Sequence, residues 1–372
     1  MTNWYIGLMS GTSLDGVDAV LADLSPDAPR ACRVAGHTSL PMPAPLRAEL
    51  LQLNTSGDNE LHRAALAANA LVRLYAQAVE QLLQRCSVTA GQVAAIGVHG
   101  QTVRHRPGQF DGTGYTLQLN NPALLAELTS ITTVADFRSR DVAAGGQGAP
   151  LVPAFHQCVF GQAGRAVGVL NIGGIANLSV LSADGSVLGF DCGPGNALMD
   201  YWVARHRGAL YDEGGRWAAS GQVLPTLLAR LLAEPYLHQR PPKSTGRDLF
   251  NPDWLSRQLQ GFEDADPADV QATLAQLTAR ASADAALAWL PAGSPLIVCG
   301  GGALNQDLLQ RLAELAPQLG VQASDSHGLA PLQVEAAAFA WLARRCLQNQ
   351  AGNLPQVTGA AGPRVLGAIY PR

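Results

Sequence analysis

Lysine is nearly absent from this sequence. Lys243 is the only lysine in the 372 residues, so almost all of the 25 basic residues are arginines. The chain therefore lacks the Gly-x-x-x-x-Gly-Lys-[Ser/Thr] loop with which many enzymes hold a nucleotide phosphate. A bound phosphate would need backbone amides, arginine and a metal ion instead.

Charge is also scarce. Charged residues make up 15% of the chain, whereas an average domain has roughly 25%. The net charge is −4, so no basic field favours DNA, RNA or an anionic membrane as a partner. The 47% hydrophobic content and the length indicate two domains with large buried sheets.

Cysteine motifs and long apolar runs are missing as well. The six cysteines are scattered, with no Cys-x-x-Cys and no zinc spacing, which is typical of reduced, buried thiols. No run approaches the roughly 18 apolar residues that span a membrane, and the N-terminus does not resemble a signal peptide. We therefore expect a cytoplasmic protein without a membrane or nucleic-acid partner.

A Gly-rich turn between two apolar runs is the first feature that is present. Trp4–Met9 and Val17–Leu24 are predicted strands. The turn Ser10–Gly16 has two glycines and three hydroxyl residues, which let backbone amides and short donors converge on a ligand. From this turn alone, a phosphate cradle and an ordinary tight hairpin are equally favoured. The candidate contacts are Ser10, Gly11, Thr12, Ser13, Leu14, Asp15, Gly16, Val17 and Asp18.

A second copy of the pattern favours the phosphate interpretation. Ala166–Leu181 repeats the order of strand, Gly173-Gly174 turn and strand, and a third strand, Val187–Asp191, follows. Two similar units indicate two related lobes with a nucleotide between them. We place the first lobe at residues 1–134 plus 333–372 and the second at residues 135–332.

Polar residues end two of the predicted strands. His99 and Gln101 follow the buried strand Val93–Val98, and the carboxyl edge of such a sheet is where ligands bind. Asp136 and Arg138 follow another apolar run and are themselves followed by a glycine-rich segment. We favour a substrate site over the alternatives, which are a hydrogen-bonded turn histidine and a solvated charged loop.

Asp191 stands at the end of a strand, beside a Gly turn and a predicted helix capped by Asn196. An acid beside a helix N-terminus lies in a natural phosphate neighbourhood, although a helix-capping role is the alternative. Further along, a Gly-rich turn between a strand and a helix offers bare backbone to adenine and ribose. The candidate nucleotide contacts here are Asn171, Gly173, Gly174, Gly193, Gly195, Gly300, Gly301, Gly302 and Asn305.

Together these turns are similar to those of the actin, hexokinase and sugar-kinase ATPases. Six motifs resemble, more specifically, the anhydro-N-acetylmuramic acid kinases of bacterial cell-wall recycling, from residue 5 to near the C-terminus. The resemblance implies an α/β, two-lobed actin-like ATPase (ribonuclease H-like) fold with a central nucleotide and substrate cleft. The motifs are Ser10–Gly16, His99–Thr102, Asp136–Arg138, Gly145–Pro150, Asn171–Asn177 and Pro241–Gly246.

The resemblance also implies a reaction. Water opens the 1,6-anhydro bridge of 1,6-anhydro-N-acetylmuramic acid, and the freed O6 takes the γ-phosphate of ATP, with Mg²⁺ as cofactor. Asp191 matches the catalytic base, Arg138 is expected to pair with the lactyl carboxylate of the sugar, and Glu335 to orient sugar or water. His99, Gln101 and Asp136 complete the expected sugar site, and the family implies a homodimer.

Two positions depart from the expected pattern. Met9 stands where many ATPases of this architecture have a Mg²⁺-binding aspartate, so the metal ligands stay unassigned among Asp15, Asp18 and Asp191. Cys192 stands where threonine is expected, which removes a hydroxyl donor. Two other functions stay open: a kinase acting on an open hexosamine, and a non-catalytic ATP switch.

Overall fold

The computed structural model describes residues 4–11, 14–25, 31–246 and 249–372. Its internal contacts divide the chain into two compact units, Met1–Val159 with Leu332–Arg372, and Phe160–Pro331. Residues 135–159 group with the first unit in this division, and the lobe boundaries given above stay predictions. In the described part of the chain, no helix is long and apolar enough to cross a membrane.

The amino-terminal part of the first unit combines seven strands with five helices. In chain order these are β1 (Trp4–Met9), β2 (Gly16–Asp23), β3 (Arg33–Pro41), α1 (Ala44–Gln52), α2 (Glu60–Cys86), β4 (Val93–Val98), β5 (Gln101–Pro107), β6 (Gly114–Leu119), α3 (Pro122–Thr129), β7 (Thr133–Ala135), α4 (Ser139–Ala143) and α5 (Val152–Phe160).

The second unit follows, and the chain then returns to the first. The second unit contains β8 (Val167–Ile172), β9 (Ile175–Leu181), β10 (Val187–Pro194), α6 (Ala197–Arg207), α7 (Arg216–Ser220), α8 (Pro225–Leu232), α9 (Pro252–Gln258), α10 (Pro267–Trp289), β11 (Pro295–Cys299), α11 (Gln306–Leu315) and β12 (Gly320–Ala323). The carboxyl-terminal segment adds α12 (Val334–Leu347), α13 (Pro355–Thr358) and β13 (Ala368–Tyr370).

The two units share one strand order. The first sheet runs β13-β7-β4-β1-β2-β3 and the second β10-β9-β8-β11-β12. In each, three strands form an antiparallel meander, a fourth (β4 or β11) pairs in parallel with the first strand of the meander, and a fifth (β7 or β12) pairs in parallel with the fourth. The predicted α/β architecture with two related units of the actin-like ATPase kind is confirmed, and β13 is an addition to the first sheet.

Each unit has its own apolar core between sheet and helices. Alternating strand residues and one helix face supply it, as expected for layers that bury one side of each element. In the first unit the core includes Ile6, Leu21, Leu71, Tyr75 and Ile96. In the second it includes Leu170, Phe190, Trp202, Leu274 and Val298.

Helix α12 lies directly against the backbone of β1 and β4. A Cβ on Gly7 would lie 1.7 Å from the carbonyl oxygen of Ala336, and a Cβ on Gly97 would lie 2.0 Å from that of Phe339. Both strands therefore require glycine at the crossing, because the atoms in the way belong to the helix backbone. This close contact fixes α12, which carries Glu335, relative to the strand end that carries His99.

Two local predictions are wrong. Asn196 forms no side-chain cap on α6. Strand β10 continues to Pro194, so Asp191 lies within it, just before a register shift between Asp191 and Gly193.

Candidate active-site regions

The first Gly turn and the His99 loop meet at the carboxyl ends of the parallel strands β1 and β4. The backbone amide of His99 donates to the carbonyl of Leu8 at 3.1 Å. The Ser10 hydroxyl contacts the carbonyl of Gly100 at 3.3 Å and the Tyr75 hydroxyl at 2.7 Å. Ser10 is buried, so its side chain connects the turn to helix α2 and to the His99 loop.

The other turn residues have distinct surroundings, and Thr12 and Ser13 lie outside the described residues. Leu14 is buried at a φ of 58°, and the amide of Leu14 closes the turn onto the carbonyl of Gly11 at 3.2 Å. A Cβ on Gly16 would lie 2.4 Å from the carbonyl oxygen of Leu40, so strand packing requires this glycine.

Three further residues complete the first Gly turn. Val17 is buried in the core. Asp15 is exposed, with Arg47 at 3.9 Å. The Asp18 carboxylate contacts Nε2 of His37 at 2.9 Å.

His99 and Arg138 form the best-defined pair in the first unit. Nε and Nη2 of Arg138 lie 3.0 and 2.9 Å from Nε2 of the buried His99. Burial, and then the Arg138 charge, hold the pKa of His99 well below its ordinary value, against a smaller opposing effect of a Gly100 backbone group. Since a guanidinium can only donate, Nε2 accepts and the neutral ring carries its proton on Nδ1. The pair therefore presents a fixed cation beside an uncharged imidazole.

Two more predicted sugar contacts lie beside this pair. Asp136 is exposed at a φ of 58°, and its Oδ1 accepts from the Ser139 hydroxyl at 2.5 Å. Gln101 is buried in β5, where its Nε2 donates to the Thr102 carbonyl at 3.5 Å. Its Oε1 is buried and makes no hydrogen bond among the described residues.

Glu335 lies in the first turn of α12, one helical turn before Phe339. The Phe339 ring packs on the His99 ring with a centroid distance of 4.8 Å. Because residues four apart share a helix face, Glu335 projects from the same side of α12 that contacts His99. The structure thus brings together His99, Arg138 and the Glu335 face of α12.

In the second unit, Asp191 is held by a loop that folds over it. Its Oδ2 accepts from the amide of Thr245 at 2.9 Å, and its carbonyl accepts from the Tyr236 hydroxyl at 2.9 Å. Nζ of Lys243 donates to the carbonyls of Tyr236 and Leu237. Burial lowers the pKa of Lys243, while the charge of Asp191 acts in the opposite direction. This loop, carrying the only lysine, orients the Asp191 carboxyl.

The second Gly turn is joined to the start of helix α6. The carbonyl of Gly173 accepts from the amide of Asn196, and that of Gly174 accepts from the amides of Gly195 and Ala197, at 2.8 to 3.2 Å. Three amides at this helix start therefore donate to the carbonyls of the second Gly turn. Gly173 itself has open space where a side chain would be. Gly193 adopts a φ of 155°.

The third Gly turn lies beside the second, because β11 pairs in parallel with β8. A Cβ on Gly300, which has a φ of 77°, would lie 2.4 Å from Oδ1 of Asn171, and one on Gly302 would meet Ile172. Gly301 is exposed and has little above it. Asn305 caps α11, accepting from the amide of Leu308 at 2.9 Å. The turn thus offers a flat, open surface at Gly301.

A family model described as anhydro-N-acetylmuramic acid kinase matches residues 3–372. The chain belongs to the anhydro-N-acetylmuramic acid kinase family. A protein of that name from Variovorax paradoxus (strain S110) is 65% identical, covering 99% of this chain and 98% of the relative. Another from Cupriavidus metallidurans is 59% identical, covering 99% and 97%.

Solved structures show only a distant likeness. A ROK family glucokinase from Streptomyces griseus in complex with glucose and AMPPNP aligns over 92% of this chain and 99% of that one. Its sequence identity is 15% and its TM-score 0.43, so it adds no argument to the family assignment.

The two departures from the anhydro-N-acetylmuramic acid kinase pattern can now be located. Met9 is half-buried at the end of β1. Cys192 is buried in the core of the second unit, and burial, with Asp191 next, raises the pKa of its thiol far above the ordinary value. A neutral, packed thiol therefore occupies the threonine position.

The described residues contain no group of three or more His, Cys, Asp and Glu side chains that could hold a metal ion. Mg²⁺ bound with a nucleotide needs only one or two carboxylates, because phosphates and water fill its other positions. Asp15, Asp18 and Asp191 offer single carboxylates, and that of Asp18 is shared with His37. This donor set fits a Mg²⁺ that arrives with ATP.

Several contacts near the candidate site were not predicted from the sequence. Phe339 packs on His99, the Thr245 amide donates to Asp191, and Asp141 is a fully buried carboxylate. The need of Asp141 for hydrogen-bond partners could have been inferred from its place beside the glycine-rich segment that follows Arg138, because a charge that is buried needs partners. The other two depend on contacts distant in sequence.

Proposed function

We propose that this protein uses ATP to phosphorylate O6 of 1,6-anhydro-N-acetylmuramic acid while water opens the 1,6-anhydro bridge. The products are N-acetylmuramic acid 6-phosphate and ADP, as expected for peptidoglycan recycling in the cytoplasm by a homodimer. The observation that carries the substrate assignment is the Arg138 guanidinium, which donates to Nε2 of His99 and to the Gly148 carbonyl. A fixed guanidinium is well suited to bind the lactyl carboxylate of this sugar.

In the proposed reaction, Asp191 removes a proton from water as the water oxygen bonds to C1. The C1–O6 bond breaks, O6 bonds to the γ-phosphorus of ATP, and ADP leaves; the proton held by Asp191 then passes to solvent. Glu335, His99, Gln101 and Asp136 orient the sugar. Mg²⁺ bound to ATP supplies charge neutralisation at the phosphates.

The nucleotide is proposed to contact all three Gly turns. Its phosphates would lie at the turn from Ser10 to Asp18 and at Gly173, Gly174, Gly193 and Gly195. Its adenosine would lie on the Gly300–Gly302 turn, with Asn171 and Asn305 at its edges. The sparse surroundings of two glycines support this placement, since a Cβ would meet only the Ile175 carbonyl oxygen at 3.8 Å on Gly173 and only Nδ2 of Asn196 at 3.5 Å on Gly301.

The first test measures ADP release with Mg-ATP and either 1,6-anhydro-N-acetylmuramic acid or N-acetylmuramic acid. We expect turnover with the anhydro sugar and a 6-phosphate product. Turnover with the open sugar alone would indicate an ordinary hexosamine kinase. ATP binding without sugar-stimulated turnover would indicate a switch protein.

The role of Asp191 has its own prediction. Asp191→Asn should lower kcat by about 10²-fold or more, because loss of a general base removes that order of catalysis, while ATP and sugar still bind. Asp264→Asn, an exposed carboxyl in the same unit, is the matched control and should keep full activity. Full turnover of Asp191→Asn with normal binding would contradict the assignment.

A further inference from the structure

Asp141 is a fully buried carboxylate at the centre of a hydrogen-bond network in the first unit. Its Oδ1 accepts from Nδ2 of Asn353 at 2.6 Å and from the Thr358 hydroxyl at 2.8 Å. Its Oδ2 accepts from the amide of Gly148 at 2.7 Å. A buried carboxylate is tolerated only where such donors replace water, so all three contacts are needed to keep it in place.

Gly148 connects this carboxylate to the candidate sugar site. Its amide bonds Asp141, and its carbonyl accepts from Nη1 of Arg138 at 2.7 Å. At a φ of 66° and with Val142 2.8 Å from the place of a Cβ, this position requires glycine. The orientation of Arg138 is thus set on one side by His99 and on the other by a peptide unit that Asp141 holds.

The carboxyl-terminal segment supports the same loop through its backbone. The amide of Gln147 donates to the Thr358 carbonyl at 2.7 Å, and the amide of Ala361 donates to the Ala144 carbonyl at 2.8 Å. The segment around Thr358 is therefore packed along the glycine-rich loop from 144 to 148.

We propose that Asp141, held by Asn353 and Thr358 of the carboxyl-terminal segment, is a positioning residue that fixes Arg138 for the carboxylate of the sugar. The proposal rests on the proposed function, because it assigns to Arg138 a carboxylate-bearing ligand. It makes the carboxyl-terminal segment, distant in sequence from every candidate site residue except Glu335, a determinant of sugar affinity.

The decisive variant is Asp141→Asn, which keeps the size of the side chain. The new side-chain oxygen would still accept from Asn353 and Thr358. The new NH₂ group would then face the backbone N–H of Gly148, and because both groups are donors, the hydrogen bond that holds the Gly148 peptide would be lost. We expect 1,6-anhydro-N-acetylmuramic acid to bind about tenfold more weakly, since small misplacements of a binding group cost affinity on this scale. Calorimetry without ATP measures this directly, and the affinity for ATP should stay unchanged.

Thr358→Val is the milder variant and carries the test if Asp141→Asn does not fold. It should weaken sugar binding about threefold, as the loss of one of several donors. The control is Thr129→Val, which removes a comparable hydroxyl hydrogen bond, to the Leu125 carbonyl at 2.7 Å, elsewhere in the first unit. This control should leave sugar binding unchanged even if it lowers the melting temperature.

Arg138→Ala separates the proposal from the function on which it rests. If Arg138→Ala weakens sugar binding and Asp141→Asn adds nothing to it in the double variant, the two residues act as one unit. If Arg138→Ala weakens binding but Asp141→Asn and Thr358→Val behave like Thr129→Val, the positioning role is overturned and the proposed function stands. If Arg138→Ala binds the sugar normally, the sugar-site assignment itself fails.

Discussion

At the scale of single residues, two buried histidines of the first unit have pKa values well below the ordinary value. His156 on α5 is fully buried, and burial lowers its pKa to about 3. His99 is held neutral by burial and by Arg138. In the unfolded chain both rings regain a pKa of about 6.5, so the unfolded state binds more protons than the folded state below that pH.

This difference predicts acid sensitivity with a definite sign. Stability should be fully present above pH ~6.5 and should fall by up to about 1.4 kcal/mol per pH unit for each ring as the pH decreases. For His156 the loss continues down to pH about 3. The free energy of unfolding, measured with a chemical denaturant, should decrease less between pH 7 and pH 5 for His156→Gln than for the parent protein. His62→Gln, at an exposed position, should show the same pH dependence of the unfolding free energy as the parent protein. The same pH dependence in all three proteins would contradict the prediction.

Residue chemistry was predictable from sequence where a motif carried it, and not where a distant partner decides it. The sequence predicted polar residues such as His99 and Arg138 at strand ends, but the contact between these two was shown only by the structure. The partner of Ser10, by contrast, is Tyr75, which is 65 residues away on helix α2. No local pattern around Ser10 indicates that its hydroxyl is engaged there.

At the scale of elements, glycine in a strand marks the crossing of α12 over the first sheet. In the sequence, Gly7 and Gly97 are single glycines in apolar strands, a pattern that fits either a bulge or a close backbone approach. The structure decides for close approach, with the helix carbonyls of Ala336 and Phe339 at the missing Cβ positions. The helix that faces these glycines is separated from them by more than half of the chain, so sequence alone leaves the choice open.

Gly7→Ala should therefore destabilise the first unit strongly. The added Cβ would lie 1.7 Å from the Ala336 carbonyl oxygen, and a backbone atom can move only with its helix. Overpacking of this kind costs about 1–3 kcal/mol or more, measured as a lower midpoint of chemical unfolding. Gly91→Ala, with nothing within 4 Å of the new Cβ, is the control and should leave the midpoint almost unchanged. Equal midpoints for the two variants would mean that α12 is not held at this distance.

Helix starts show a second limit of local reasoning. Asn196 has the residue type of a cap, yet its Nδ2 donates to the Ile172 carbonyl at 3.1 Å. The Gly173-Gly174 turn already supplies carbonyls to the amides at the start of α6, so a cap is not required. By contrast, Asn121 and Asn305 precede α3 and α11, and the side chain of each accepts a hydrogen bond from a backbone amide in the first turn of its helix.

At the scale of the whole molecule, the repeat in sequence corresponds to a repeat in topology. Two strand–Gly turn–strand units were sufficient to predict two related units, because each pair of strands is a local hairpin. The parallel pairings β1–β4 and β8–β11, which bring the Gly turns to their neighbouring loops, join strands far apart in the chain. Those pairings were shown only by the structure, since periodicity does not specify which distant strands meet.

The proposed sugar contacts around His99 and Arg138 lie in the first unit and the Gly300–Gly302 turn lies in the second, so the two ligands should protect different segments at these places. We predict that ATP without sugar slows amide exchange in residues 300–305, and that 1,6-anhydro-N-acetylmuramic acid without ATP slows it in residues 99–101 and 136–148. Hydrogen exchange read by mass spectrometry resolves these segments, and the exposed turn at 183–186 between β9 and β10 serves as an internal reference. Ligand-bound backbone is protected because local opening must then overcome the binding free energy as well. Protection of residues 300–305 by the sugar alone, with none at residues 99–101, would reverse the assignment of the two sites and with it the proposed roles of Arg138 and of the third Gly turn.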